Sequence, residues 1–155
     1  MKVFVGYVSM SGNTEGMATI LKDTLTAKGC EVTMESLEDV SATTILAYDF
    51  ALIGAYTWGE GELPYEAEDF YEALTDLQLE DLYAGCFGSG DTNYEEYCAA
   101  VDLLANRLSE SGCSVFENQL KIELGPETDE QVEECQQFAL SVYEWVLANK
   151  EKVNV

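Results

Sequence analysis

The 155-residue sequence predicts an α/β fold, a doubly wound five-stranded parallel sheet with helices on both faces. Two observations carry this. Short, almost uninterrupted apolar runs such as Lys2–Val8 and Phe50–Ala55 have the character of strands covered on both faces. They alternate with segments whose apolar residues recur at helical spacing, and strand–helix alternation of this kind closes through right-handed crossovers into a parallel sheet. A third observation bounds the domain count. No repeat, low-complexity stretch or linker interrupts the chain, and the only prolines, Pro64 and Pro126, fall between periodic segments. Residues 1–155 therefore read as one domain, long enough to bury a sizeable core.

Lys2–Val8 is the first strand. Asn13–Lys28 follows as a helix, with Met17, Ile20, Leu21 and Leu25 on one stripe and Gly29 as a C-terminal stop. Cys30–Glu35 is a short strand, Val40–Ala47 a short helix and Phe50–Ala55 the third strand. Tyr65–Leu77 reads as a helix and Leu82–Phe87 as the fourth strand. Tyr94–Ser109 carries Tyr97, Cys98, Val101, Leu104, Ala105 and Leu108 on one stripe and ends at Gly112. The last strand opens at Cys113–Phe116 and resumes at Leu120–Ile122. Thr128 with Gln131 forms a capping box for the final helix, striped by Val132, Cys135, Phe138, Val142 and Val146. Two strand orders satisfy this string, 2-1-3-4-5 and half of a dinucleotide-binding sheet. Both place ligands beyond the carboxyl ends of the strands, where the order reverses.

Composition excludes several functions. There is no histidine, so Ser-His-Asp and Cys-His catalysis are absent. Five cysteines without a C-x-x-C pair argue against a disulfide framework and a zinc site. Thirty carboxylates against seven cations give a net charge of -23, the opposite of a nucleic-acid footprint and repelled by anionic membranes. No apolar run approaches the length of a membrane span, and the N-terminal apolar stretch is too short for a signal-peptide core; the expected location is the cytoplasm. The charge is uneven. The 78 residues between Lys28 and Arg107 contain no Lys or Arg and 18 carboxylates, which suits either solubility or a docking face for a basic partner.

Three loops at the strand ends carry the chemistry. After the first strand, Ser9-Met10-Ser11-Gly12-Asn13-Thr14 puts hydroxyls, an amide and a glycine before a helix N-terminus, where backbone N–H groups and the helix dipole favour an anion. It contains no Lys, and is neither a P-loop nor G-x-G-x-x-G. A plain Ser/Asn helix cap would look the same. After the third strand, Tyr56-Thr57-Trp58-Gly59-Glu60 places a tryptophan in an acidic loop, suited to covering a flat ligand, beside a glycine free to change the sign of φ. After the fourth strand, Ser89-Gly90-Asp91-Thr92-Asn93-Tyr94 offers close-approach glycine, a carboxylate that either meets a ligand or caps the next helix, and a second aromatic plate. A phosphate cradle plus two plates fits a flat heteroaromatic with one phosphate.

Ser9-x-Ser11-Gly12-Asn13-Thr14, Thr57-Trp58-Gly59 and Gly90-Asp91-x-x-Tyr94 at these spacings resemble the three flavin-binding loops of the flavodoxin family, short-chain class, and the likeness covers the whole chain. Ser11 stands where threonine is commoner and keeps the hydroxyl. The resemblance implies the order 2-1-3-4-5 and one tightly, non-covalently bound FMN in a monomeric electron carrier without a catalytic residue or metal. Ser9 to Thr14 would hold the phosphate. Trp58 and Tyr94, flanked by Tyr56, Thr57, Ser89 and Gly90, would cover the two ring faces. Backbone groups of Gly59, Glu60, Asp91, Glu96 and Cys98 would meet the polar edge, and the Gly59–Glu60 peptide would reorient on reduction. The cofactor would supply the redox chemistry and the protein would tune it. Carboxylates at ~12 Å contribute ~0.3 kcal/mol each against a reduced anion; about six of them would lower the second one-electron potential by roughly 80 mV.

The implied partners are basic-faced redox proteins, a flavodoxin reductase or an oxidoreductase as donor and redox enzymes as acceptors. Other readings share the fold order: a dedicated donor to one enzyme such as a ribonucleotide reductase, or an NAD(P)H-dependent FMN reductase, which needs room over the ring and cations for a second phosphate. A phosphoacceptor receiver domain needs an acidic pair after the first strand, where Ser9-Met10-Ser11 stands.

Overall fold

The structure is a computed structural model describing residues 1–153. Strands β1 (Lys2–Val8), β2 (Glu31–Ser36), β3 (Phe50–Ala55), β4 (Tyr83–Gly90), β5 (Ser114–Val115) and β6 (Leu120–Glu123) form one parallel sheet. Helices α1 (Asn13–Ala27), α2 (Glu68–Ala73), α3 (Ala99–Glu110) and α4 (Asp129–Val153) cover it. The order is β2-β1-β3-β4-β5, with β6 also on β4, so β5 and β6 are two halves of the fifth strand. The order 2-1-3-4-5 is thus the one adopted. It reverses at β1, with β2 on one side and β3 on the other. The cleft beyond the ends of β1, β3 and β4 is where this topology puts a ligand.

The strands alternate across two cores because successive side chains point to opposite faces. Val3 and Val5 join Phe50, Leu52 and Phe87 beneath α1 and α4, against Met17, Leu21, Phe138 and Val142. Phe4, Ala51 and Ile53 face the other way, against Ile45, Phe70, Leu74, Val101 and Leu104. All six residues of β3 are buried, which is why its sequence is apolar at every position rather than at alternate ones. The register runs Val3↔Phe50 to Val8↔Ala55 and Phe50↔Tyr83 to Gly54↔Phe87, and brings the ends of β1 and β3 level. α4 starts as its capping box requires: the Gln131 N–H donates to Thr128 Oγ1 at 3.1 Å, and Gln131 Oε1 accepts from Thr128 N at 3.0 Å.

Four segments differ from the sequence expectation. β4 runs three residues past Phe87 to Gly90, because pairing with β6 over Phe87–Gly90 extends it, so Ser89 and Gly90 belong to the strand and not to the loop after it. Tyr65–Leu77 is not one helix. It is a 3-10 turn at Tyr65–Ala67, the short α2, and a second 3-10 turn at Leu74–Asp76. The expected helix at Val40–Ala47 is a 3-10 helix over Ala42–Ala47, preceded by another at Leu37–Asp39. The helix expected from Tyr94 begins only at Ala99, because Cys98 takes a left-handed conformation with φ 52° that no α-helix continues through. A tertiary contact accompanies that turn: Gly90 packs so closely on Cys98 that a Cβ at 90 would lie 2.8 Å from the Cys98 sulfur. Residues 91–98 thereby become a long loop over the sheet edge.

Candidate cofactor-binding site

Each loop is anchored from below. The Thr14 and Ser89 hydroxyls, both buried, hydrogen-bond to each other at 2.7 Å and tie the first helical turn of α1 to the end of β4. The Ala100 N–H donates to Thr57 Oγ1 at 3.0 Å, joining the loop after β3 to the start of α3. The Tyr56 hydroxyl donates to Glu66 Oε2 at 2.9 Å; burial, followed by the adjoining Glu66 carboxylate, pushes the Tyr56 phenol up to about 12, so it stays a donor at any physiological pH. The Leu124 N–H donates to the Gly90 carbonyl at 2.7 Å.

These anchors leave an open cavity of about 440 Å³. Ser9, Met10, Ser11, Asn13 and Thr14 line it from the first loop. Tyr56, Thr57, Trp58 and Gly59 line it from the second, Ser89 and Gly90 from the end of β4, and Asp91, Tyr94, Glu96 and Cys98 from the third loop. Of these, residues up to 89 positions apart in the sequence, Ser9 and Cys98, thus meet in one place. Gly12 and Glu60 belong to the loops but do not line the cavity. Leu124 does line it, and no sequence signal announced it: it is one leucine after a short strand, brought in by the pairing of β6 with β4.

The first loop is not a side-chain cap. The N-cap of α1 is Gly12, in the left-handed region at φ 88° and with no side-chain cap hydrogen bond, a conformation that suits glycine. Ser9 instead closes the loop, its Oγ accepting from Gly12 N at 3.1 Å. The first-turn amides of α1 are left without a side-chain acceptor, the arrangement that receives an anion. Among the described residues no Lys or Arg lines the cavity, and Asp91 and Glu96 do. Asp91 does not cap α3; its Oδ1 accepts from Asn93 N at 2.9 Å and closes its own turn.

The second loop is a small hairpin. Trp58 and Glu62 exchange backbone hydrogen bonds of 2.9 and 2.8 Å, leaving Gly59, at φ 52°, and Glu60 at its tip. A Cβ on Gly59 would meet nothing within 4 Å, so only the backbone conformation restricts substitution there. Trp58 is 52% exposed and Tyr94 60% exposed. Two large aromatic rings left in water beside one cavity are poorly accounted for by folding, since burial of such surface is favourable.

The likeness to known proteins is direct. The flavodoxin family model matches residues 5–138. The chain belongs to the flavodoxin family. A Bacillus subtilis protein described as "Probable flavodoxin 1" is 48% identical over 99% of this chain and 98% of its own length. The crystal structure of oxidised flavodoxin 2 from Bacillus cereus superposes with a TM-score of 0.90 at 46% identity, covering 93% of this chain and 99% of that one. The sulfite reductase [NADPH] flavoprotein alpha-component of Mannheimia succiniciproducens is 35% identical over 72% of this chain but only 19% of its own length. Flavodoxins bind FMN and transfer electrons without turning over a substrate of their own.

The cavity fits that cofactor on its own chemistry. Uncapped amides and neutral hydroxyls suit one phosphate, while two lining carboxylates and no lining cation among the described residues disfavour the second phosphate of a dinucleotide. Exposed aromatic faces suit a flat ring. The cysteine thiols are not reactive groups of the site: all five are free and buried, and burial pushes the Cys98 thiol up to about 11, which keeps it protonated. Among the described residues no cluster of His, Cys, Asp or Glu could hold a metal ion.

Proposed function

We propose that this flavodoxin is a low-potential one-electron carrier, monomeric and cytoplasmic. In this reading it takes electrons from a reductase-type donor and delivers them to redox enzymes through basic faces on those partners. The observation that carries the reading is the cavity itself: a neutral anion cradle beside two water-exposed aromatic rings, the rings lying in a segment rich in carboxylates and lacking Lys and Arg. FMN supplies the one-electron chemistry when bound. The Ser9–Thr14 loop holds the phosphate with backbone N–H groups, hydroxyls and an amide. Trp58 and Tyr94 cover the ring and keep water from its faces. The carboxylates of Glu60, Glu62, Asp91, Glu95 and Glu96 surround the region with negative charge that opposes further reduction. No helix among the described residues is long and apolar enough to cross a membrane.

The purified protein is expected to be yellow, with one FMN per chain by absorbance and mass spectrometry after acid release. A colourless chain that takes up no added FMN would end the reading. Rapid oxidation of NADPH by the protein alone would instead establish the FMN reductase reading, which the absence of lining cations among the described residues disfavours.

Gly59 is expected to respond to redox state. Left-handed backbone costs a residue with a Cβ about 1–2 kcal/mol, and the space around Gly59 is open, so Gly59→Ala changes backbone preference without a clash. The gap between the two one-electron potentials should narrow by roughly 40–90 mV while oxidised FMN still binds. Potentiometric titration with an unaltered gap would refute the role.

A further inference from the structure

Among the described residues only Cys98 and Leu124 have positive φ without being glycine, at 52° and 60°, and both line the cavity. Their circumstances differ. Cys98 is fully buried, with its thiol 3.8 Å from the Gly88 carbonyl, so packing compensates for its backbone. Leu124 is 52% exposed. It combines a conformation that sterics disfavour for every residue but glycine with an apolar side chain left in water.

The surrounding chain explains why the bend is there, but not why the residue is leucine. β6 pairs with β4 in the register Gly90↔Glu123, and the Leu124 N–H is held on the Gly90 carbonyl at 2.7 Å, which sets the backbone. The adjacent glycine cannot take over the turn by a shift of one position. A side chain at 125 would push Asn13 out of its place in the first loop, because a Cβ there would lie 2.6 Å from Asn13 Oδ1 and 3.0 Å from Asn13 Cγ. A glycine at 124 would relieve the backbone and remove exposed apolar surface, so folding alone favours replacing the leucine.

We propose that Leu124 is a further cofactor-contacting residue: its side chain is an apolar wall of the cavity, between the phosphate cradle at Asn13 and the end of β4 at Gly90, that bound FMN covers. The contact compensates in the loaded protein for the backbone cost that the chain carries without it. This rests on the FMN reading given above. It makes a prediction of opposite signs, which a merely structural leucine does not share.

The test compares Leu124→Gly, Leu124→Ala and Leu124→Met with the parent chain, each stripped of cofactor and titrated with FMN by quenching of flavin fluorescence. Thermal midpoints of the stripped proteins are measured in parallel. Leu124→Gly should raise the midpoint yet bind FMN roughly three- to tenfold more weakly, the size expected for covering about half a leucine side chain. Leu124→Ala should lose similar affinity without the gain in midpoint, and Leu124→Met should stay close to the parent. Parental affinity in both the glycine and alanine variants overturns the proposal, as does an affinity loss that tracks a lowered midpoint. A parent chain that takes up no FMN overturns the cofactor reading itself, and this inference with it.

Discussion

Replacing Trp58 or Tyr94 with alanine should weaken FMN binding by about 1–3 kcal/mol, roughly 5- to 150-fold, the range for removing one aromatic plate from a stacked heterocycle. Both rings are more than half exposed and neither packs against another aromatic ring among the described residues. Their loss should therefore leave the apoprotein's stability close to that of the parent, as expected for surface positions. That separation is what makes the measurement informative. Titration of the apoproteins with FMN, beside their thermal midpoints, reads both quantities. Phenylalanine at either position should recover most of the affinity, since it restores a flat apolar face. Full parental affinity in both alanine variants would show that the plates lie elsewhere. A loss of affinity accompanied by unfolding would reassign the rings to the scaffold.

The second large effect is electrostatic. If the acidic segment steers basic redox partners, association with a reductase should fall at least about tenfold between 0.01 and 0.15 M salt, as the Debye length shrinks from ~30 to ~8 Å. Charge reversal locates the face. Glu66 is unsuitable for that purpose, because its carboxylate accepts from the Tyr56 hydroxyl and its replacement would disturb the second loop. Glu62 and Glu95 are exposed and lie in the second and third loops. Glu62→Lys with Glu95→Lys should slow association more than Glu133→Lys with Glu144→Lys, an exposed pair on α4. The difference should shrink at high salt, because rim charges act on the encounter rather than on the settled complex. Stopped-flow electron transfer that is flat with salt, or equally slowed by both pairs, would leave the charge with a solubility role alone.

The site was legible in the sequence to the extent that it consists of contiguous segments. Ser9–Thr14, Tyr56–Glu60 and Ser89–Tyr94 each announce themselves by residue types unusual before a helix or after a buried strand. Fifteen of the sixteen residues lining the cavity fall in those segments or just beyond the third. Leu124 was illegible because its role depends on which strand β6 pairs with. Asp91 was ambiguous for a related reason. A carboxylate a few residues before a periodic segment looks like a helix cap until the helix is seen to start eight residues later, at Ala99.

What the amino-acid order determined by itself is local or depends only on burial. β1 and β3 run over the residues their apolar runs delimit, because a strand covered on both faces has no polar position to blur its ends. α4 begins at its capping box because the two groups that satisfy each other lie three residues apart. The tertiary structure decided what depends on distant neighbours. Apolar spacing continues through Tyr97 and Cys98, yet Cys98 leaves the helix where Gly90 packs against it. Tyr65–Leu77 buries Ala67, Phe70 and Leu74 in one core, yet divides between α and 3-10 turns. Periodicity records which side chains seek the interior; the contacts awaiting them there set the backbone. The cavity exists only because β1, β3, β4 and β6 end side by side.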